Sequence, residues 1–220
     1  MSYARQSALT ILILFTTLFA YAEGFDNTAA GFFVAMPDEE AEYLNMSLKS
    51  EMVELYKIGT SSKTRNLLGG ESWISHMDTT RIDAVLATEK SLMTIKTYEQ
   101  KKGKQLYAVV KTLYTPIADS EILFYNDKME KLNTEKLFAT PKFKDFFAKP
   151  SDKELRKIMD KITMMFIKIE VSEEGNLLVT LDDMWLDVLD KNISKKLLQL
   201  KKKTPLCYKW SKKQFKLVES

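Results

Sequence analysis

Four aspartates stand close together in the last quarter of the chain, at Asp182, Asp183, Asp187 and Asp190. Asp183 and Asp187 are spaced one helical turn apart, which would place both carboxylates on one side of a helix. Two carboxylates that face each other across a cleft can hydrolyse a glycosidic bond, and several converging oxygens can hold Ca²⁺. Alternatively, Asp182 caps a helix and the following acids favour its positive end. The capping interpretation needs no partner residue, and no Asp-x-Asp-x-Asp loop is present.

His76 is the only histidine of the chain and Cys207 the only cysteine. A mechanism in which histidine activates a serine or a cysteine would therefore have to use His76. Ser75 and Asp78 stand beside it, but neighbours along a strand point in different directions and do not form a triad. One histidine and one cysteine also exclude zinc and haem sites of the usual kind. We predict no catalytic residue, no metal site, no cofactor and no internal disulfide.

The stretch KKLLQLKKK is rich in lysine, with Lys195, Lys196, Lys201, Lys202 and Lys203. These side chains could contact an anionic surface such as lipopolysaccharide or phospholipid headgroups. Lysines near the C-terminus of a helix also complement its dipole and stay solvated. The sequence leaves both interpretations open. Residues 23–220 carry a net charge of +2, the +3 of the full chain less Arg5, which is too small to predict a nucleic acid as partner.

The segment KTLYTPIADSEILFYND, residues 111–127, reads as two strands separated by a polar insert. Pro116 cannot donate to a strand ladder, and Asp119 and Ser120 can bond to nearby backbone groups. This composition predicts a turn. A catalytic loop would need a partner group, and the sequence offers none.

Residues 1–22 are typical of an export signal. Arg5 is the only charged residue before an apolar run from Ala8 to Tyr21, and Ala20-Tyr21-Ala22 has the small residues that a signal peptidase requires. The run is short for an uncleaved anchor in a bilayer core of about 30 Å. We predict cleavage after Ala22, a periplasmic or secreted location, and no transmembrane span in the remaining chain.

Residues 23–220 are predicted to form a single α+β domain, with 32–148 and 149–220 as candidate lobes. Helical patterns occur at Pro37, from Leu48 to Ile58 and in SSKTRNLLGG. Period-two alternation then predicts an antiparallel meander from Arg81 that includes EKLNTEKLF. The strand residues 106–113 are apolar on both faces, which requires cover on both sides by helices or by a partner.

The second half repeats this alternation of helix and hairpin. A capping box at 151–154 opens a helix to Ile162, a hairpin turns at Glu174-Gly175-Asn176, one amphipathic helix runs from Asp183 to Leu200, and a last hairpin follows. We expect these strands to complete the sheet. LMTIKTYEQKKGKQLYAVVKTL can be laid over MMFIKIEVSEEGNLLVTLDD, so an internal duplication and independent hairpins are both open interpretations.

Several stretches are similar to a known family: FFVAMPDEEAEYL, LLGGES, VVKTLYTPIADSEILFYND and PLCYKWSKKQFKL. They resemble a family of secreted proteins of the Bacteroidales that is catalogued as a domain of unknown function. The likeness runs from Phe32 to Val218, with Met36-Pro37-Asp38, Asp119-Ser120 and Tyr208-Lys209-Trp210 as its signposts. The resemblance implies an exported α+β protein of Gram-negative bacteria, and it carries over no activity and no site residues.

Three hypotheses for the function follow from these observations. The first is a non-enzymatic module that binds a protein or a glycan of the bacterial envelope. The alternative is a hydrolase that acts on envelope glycans or peptides through the carboxylates at Asp182–Asp187. A third hypothesis is peripheral membrane attachment through the lysines at 195–203. Trp73, Trp185 and Trp210 could form a sugar-stacking platform, although aromatic residues in strands usually belong to the core.

Overall fold

Six α-helices and two antiparallel sheets make up the part of the chain that the computed structural model describes, residues 26–218 except 42, 88, 89 and 115. The predicted α+β class is confirmed. The predicted signal and its cleavage site lie outside the described residues. Over the described residues, none of the helices combines the length and the apolar character of a membrane span.

The chain enters the described fold through two helices, α1 (Ala29–Ala35) and α2 (Met46–Lys57), with a 3₁₀ turn at Asp38–Ala41 between them. The Thr28 hydroxyl accepts the amide of Gly31 at the start of α1, at 3.0 Å. Asn45 caps α2 in the same way. Gly59, at φ +72°, ends α2 as the sequence predicts.

The first sheet is an antiparallel meander, as predicted. Its strands, which are neighbours in chain order, are β1 (Thr64–Arg65), β2 (Glu71–Met77), β3 (Arg81–Val85), β4 (Ser91–Glu99), β5 (Gln105–Leu113) and β6 (Asp119–Asn126).

The two ends of this meander differ from the sequence expectation. SSKTRNLLGG forms β1 and a tight turn instead of a helix, because Asn66 Oδ1 accepts the amides of Leu68 and Gly70 at 3.1 and 3.0 Å. Beyond β6, the described residues continue the meander only by an isolated bridge between Tyr125 and Lys131. EKLNTEKLF then forms the short helix α3 (Thr134–Leu137).

The second half forms a separate four-stranded sheet and does not complete the first. Its elements are a 3₁₀ turn at Phe143–Phe146, α4 (Lys153–Lys161), β7 (Ile167–Val171), β8 (Leu177–Leu181), α5 (Trp185–Val188), α6 (Lys191–Leu200), β9 (Leu206–Trp210) and β10 (Phe215–Val218). The strand order is β10-β9-β8-β7. The hairpin at Gly175 and the final hairpin are confirmed. Asp152 caps α4, one residue after the predicted start of the capping box.

The single amphipathic helix predicted from Asp183 to Leu200 is wrong. Leu189 is extended (φ −92°, ψ 158°) and divides the segment into α5 and α6. Asp190 Oδ1 then accepts the amide of Asn192 at 2.9 Å and caps α6. An aspartate side chain that bonds to the following backbone favours a new helix start over continuation of the old helix.

The first sheet lies between two hydrophobic cores. On one face Tyr107, Val109 and Leu123 pack against α1 and α2. On the other face Leu106, Ala108, Val110 and Phe124 pack against the second sheet and against aromatic residues of the 138–147 segment. The predicted cover on both faces of β5 is confirmed, and the cover comes from this chain itself.

Three side chains of the first sheet form hydrogen bonds with backbone groups on the outer edge of β7. Asp119 Oδ1 accepts the amide of Ile167 at 3.3 Å, and Ser120 Oγ accepts the amide of Ile169 at 2.9 Å. Arg81 Nη1 donates to the Val171 carbonyl at 2.9 Å. The Pro-containing insert is therefore a turn, as predicted, but Asp119 and Ser120 bond to backbone almost 50 residues away and not to nearby backbone. These bonds occupy three backbone groups on the outer edge of β7, the last strand of the second sheet.

The two halves share one topological feature. The runs β4-β5-β6 and β7-β8-β9 each consist of strands that neighbour one another in chain order. Their connections differ, because a turn joins β5 to β6 whereas α5 and α6 join β8 to β9. Internal duplication stays a prediction.

Candidate functional site

The clustered aspartates do not converge on one another. Asp182 Oδ1 accepts the amide of Met184 at 2.9 Å but does not cap α5, whose N-cap is Met184, so the predicted helix cap at Asp182 is wrong; Asp190 instead caps α6. Asp183 forms an ion pair with Lys201, which also donates to the Leu181 carbonyl at 3.2 Å. Within the described ranges, no group of three or more His, Cys, Asp or Glu side chains lies close enough to hold a metal ion.

His76 lies at the end of β2, beside the turn into β3. Its Nε2 is 3.2 Å from Asp78 Oδ2, and both side chains are about half exposed. Partial burial acts to raise the pKa of Asp78, but hydrogen bonds from Thr80, from His76 and from the Arg81 amide outweigh it and lower the pKa to about 2. Asp78 thus holds the turn, and Ser75 donates to the Asp83 carbonyl and not to His76.

Cys207 lies on β9 of the second sheet, whereas His76 lies on β2 of the first sheet. Its strand partners are Leu178 and Val218, and its side chain is partly buried. This position matches the interpretation of Cys207 as a small apolar strand residue.

The five predicted lysines do not form one surface. Lys201 is held by Asp183, and Lys196 Nζ lies 3.7 Å from Asp152. Lys202 lies at the rim of a cavity next to α4. Lys195 and Lys203 are exposed.

Three turns of the first sheet meet at one end, because every second turn of a meander returns to the same side. Asn66 Nδ2 in the β1–β2 turn donates to the Leu86 carbonyl of the β3–β4 turn at 3.0 Å. The Tyr114 amide in the β5–β6 turn donates to the Lys90 carbonyl at 2.9 Å. The start of α2 joins them, because the Leu67 amide donates to the Tyr43 carbonyl at 3.0 Å.

This end of the sheet exposes large apolar side chains. We call it the apolar end and define it by Met46, Leu67, Leu68, Leu113 and Tyr114, of which Leu68 is 74% exposed. They are spread along this end of the sheet from the β1–β2 turn to the β5–β6 turn, and exposed apolar side chains of this size can mark an interaction site.

An apolar cleft opens beside the apolar end. We call it the methionine cleft; its volume is about 330 Å³, and its lining residues are 161–166, 181, 182, 184, 185 and 189. One wall is the extended segment after α4 and the other is the end of β8 with α5. The bond between Ile167 and Asp119 places this cleft next to the β5–β6 turn.

The lining of the cleft includes one tryptophan packed among other aromatic rings and flexible methionine side chains that are exposed. Trp185 is buried and meets Phe143 and Phe147 edge to face, with ring centroids 5.6 and 5.3 Å away. Met164 is 77% exposed and Met184 is 39% exposed. Methionine side chains are flexible and polarizable, so such walls adapt to apolar groups of different shape.

The tryptophans do not form a sugar-stacking platform. Trp185 is buried, and Trp210 packs against Tyr98 and Phe215 while its Nε1 donates to the Glu99 carbonyl. Trp73 carries Lys63 Nζ over its ring at 5.2 Å.

The sequence alone does not reveal the methionine cleft. The pattern of TMMFI (163–167) predicts a strand, whereas residues 162–166 are irregular and the strand begins at Ile167. Two adjacent methionines outside a regular apolar pattern were the available signal. Nothing local to them indicates that α5 lies opposite.

Fold and site together define an α+β protein in which helices, a six-stranded meander and a four-stranded sheet are stacked, and whose clearest surface feature is an apolar cleft. The chain belongs to the family DUF3256, described as proteins of unknown function, whose model matches residues 23–215. The predicted membership of a domain-of-unknown-function family is confirmed. No curated protein matches the chain.

A solved structure has a similar fold. It is the structure of a domain of an uncharacterized protein from Porphyromonas gingivalis W83, with a TM-score of 0.71 and 19% sequence identity. The match covers 86% of this chain and 96% of the other. That organism is a member of the Bacteroidales, which fits the predicted family. At this identity the likeness shows the fold alone.

Proposed function

We propose that this protein is a non-enzymatic binding module of the bacterial envelope whose partner is another protein. It is exported by the signal at residues 1–22, is cleaved after Ala22, and acts in the periplasm or outside the cell. The observation that carries the proposal is the methionine cleft beside the apolar end, where Met164 is 77% exposed.

The chemistry of the cleft favours a protein over a glycan. Eight of its eleven lining residues are apolar, the polar ones are Lys161, Thr163 and Asp182, and the Asp182 Oδ1 atom is already an acceptor for the Met184 amide. A sugar presents hydroxyl groups that need hydrogen-bond partners when they lose water, whereas apolar side chains of a partner protein need none. Anchors of that kind in a well-packed pocket supply most of the free energy of a protein interface.

The hydrolase hypothesis has less support. A pair of catalytic carboxylates must face across the space that the substrate enters. Asp183 is paired with Lys201, and Asp182 and Asp190 accept amides of the backbone that follows them. Asp187 is exposed on α5.

The test is affinity capture from native periplasm with the protein and two variants. Met164→Glu places one negative charge in the methionine cleft. Ile58→Glu is the matched control, because Ile58 is 72% exposed at the far end of α2, about 18 Å from its start. We expect one partner to be retained by the parent protein and by the control but lost by the cleft variant.

Two results would reject the proposal. One is a captured partner that the cleft variant retains as well as the parent protein does. The other is the absence of any partner together with turnover of a peptidoglycan or glycan substrate, which would favour the hydrolase.

A further inference from the structure

We propose that a second cavity, lined by Arg156, Lys149 and Lys202, is a binding site for a phosphate group. Its volume is about 400 Å³. It lies between α4, the segment before α4 and the residues that follow α6. We call it the basic cavity.

Backbone pairing brings the walls of the basic cavity together. The Ala148 amide donates to the Leu200 carbonyl at 2.8 Å, and the Lys202 amide donates to the Phe146 carbonyl at 2.9 Å. These two bonds run between residues more than 50 positions apart, so they fix Lys202 beside the segment that carries Lys149. On the α4 side, Lys144 Nζ lies 2.7 Å from Asp160 Oδ1 and holds the helix to the 3₁₀ turn.

The charges of the cavity do not balance internally. Its lining includes four cationic side chains and two carboxylates. Asp160 neutralises Lys144, and Asp145 Oδ2 accepts the Lys142 amide at 2.7 Å. Across the described part of the chain, no ion pair joins Lys149, Arg156 or Lys202 to a carboxylate, while the nearby Lys196 and Lys201 each have one.

Arg156 has an unmet requirement for an acceptor. Its Nη2 donates to the Ser151 carbonyl at 3.3 Å, but its Nε is buried and has no acceptor among the residues that the structure describes. A buried donor without an acceptor is unfavourable, and the planar guanidinium suits the oxygens of a phosphate. A phosphate that carries up to two negative charges also matches the excess of cations better than a carboxylate does.

The remaining walls are apolar and fit the organic part of a phosphate ester. Phe147, Pro150 and Met159 are buried, and Leu217 is partly exposed at the rim. Such a phosphate group could belong to a small organophosphate or to a lipid headgroup. The site is distinct from the methionine cleft, so this proposal does not depend on the proposed function.

The test measures binding of two probes to the full protein. The soluble probe is glycerol 3-phosphate, followed by titration calorimetry, and the lipid probe is vesicles of phosphatidylglycerol compared with vesicles of phosphatidylcholine. The cavity variant is Lys149→Gln with Lys202→Gln. The control is Lys195→Gln with Lys203→Gln, which removes the same charge from exposed lysines outside the cavity.

We expect the cavity variant to weaken binding by about tenfold or more and the control by less than about twofold, because only the first loses charge-assisted hydrogen bonds. Arg156→Gln should abolish binding, and Arg156→Lys should restore part of it; urea unfolding of each variant checks that it is folded. Loss with glycerol 3-phosphate assigns a soluble ligand, and loss with vesicles alone assigns a headgroup. Two results would overturn the proposal. One is an equal loss of affinity in the two double-lysine variants. The other is that neither glycerol 3-phosphate nor phosphatidylglycerol vesicles bind when the phosphate groups of the probe are present at about 10 mM.

Discussion

Replacement of Ser120 by alanine is expected to weaken the junction between the two sheets. Ser120 Oγ accepts the amide of Ile169 at 2.9 Å and lies 2.8 Å from Thr112 Oγ1. Thr112 is only 2% exposed, and Ile169 is 3% exposed. Alanine would remove the acceptor without a change in the strand pattern of β6.

The expected loss of stability comes from two groups that Ser120→Ala leaves without the serine hydroxyl, the Ile169 amide and the Thr112 hydroxyl. A buried amide left without an acceptor costs about 1–3 kcal/mol, and the bond to the Thr112 hydroxyl contributes about 0.5–1.5 kcal/mol. Ser120 itself is partly exposed, so water can compensate in part. We expect the free energy of unfolding to fall by about 2–3 kcal/mol. For a chain of this size, that corresponds to a decrease in Tm of roughly 4–12 °C.

The assay is urea unfolding followed by tryptophan fluorescence, because Trp185 and Trp210 both pack in the core shared with the second sheet. Ser120→Thr, which keeps the hydroxyl, should recover most of the loss. Ser75→Ala is the control, since the exposed Ser75 hydroxyl only donates to the Asp83 carbonyl at 3.2 Å. A loss below about 0.5 kcal/mol for Ser120→Ala, equal to that of the control, would refute the view that these side chains hold the edge of β7.

Three further predictions concern the same fold. Tyr98→Phe removes the donor to the Gly175 carbonyl at 2.8 Å and should lower the free energy of unfolding by about 1 kcal/mol in urea titrations. Lys49→Met leaves the buried Met36 carbonyl without its donor and should cost about 1–3 kcal/mol, seen as a lower Tm. Burial raises the pKa of Tyr208 to about 12, above the value near 10 of an unfolded chain. The contribution of Tyr208 to the free energy of unfolding is therefore complete below pH 10 and is lost as the pH rises toward 12. In Tyr208→Phe, the free energy of unfolding should decline less over this pH range.

The hairpins and most helix ends could be predicted from local sequence. Gly175 at φ +78° and the 101–103 turn lie where the alternating pattern breaks, and Gly59 ends α2. The failures were also local in origin. Asn66 and Asp190 each bond to the following backbone; the Asn66 bonds form a turn where a helix was predicted, and the Asp190 bond starts a second helix where one continuous helix was predicted.

The candidate sites could not be predicted in the same way. The methionine cleft needs α5 to lie opposite the segment after α4, and the basic cavity needs residues 146–148 to pair with 200–202. Contacts between distant segments depend on how whole faces pack, and no repeating pattern in one segment records its partner.

The amino-acid order by itself determined which stretches become strands, where they turn and which strands must be buried on both faces, because alternation and turn residues act within a few positions. Only the tertiary structure decided that the second set of strands forms its own sheet. The physical reason is that the side chains of Asp119, Ser120 and Arg81 occupy three of the backbone groups on the outer edge of β7 that another strand would have needed.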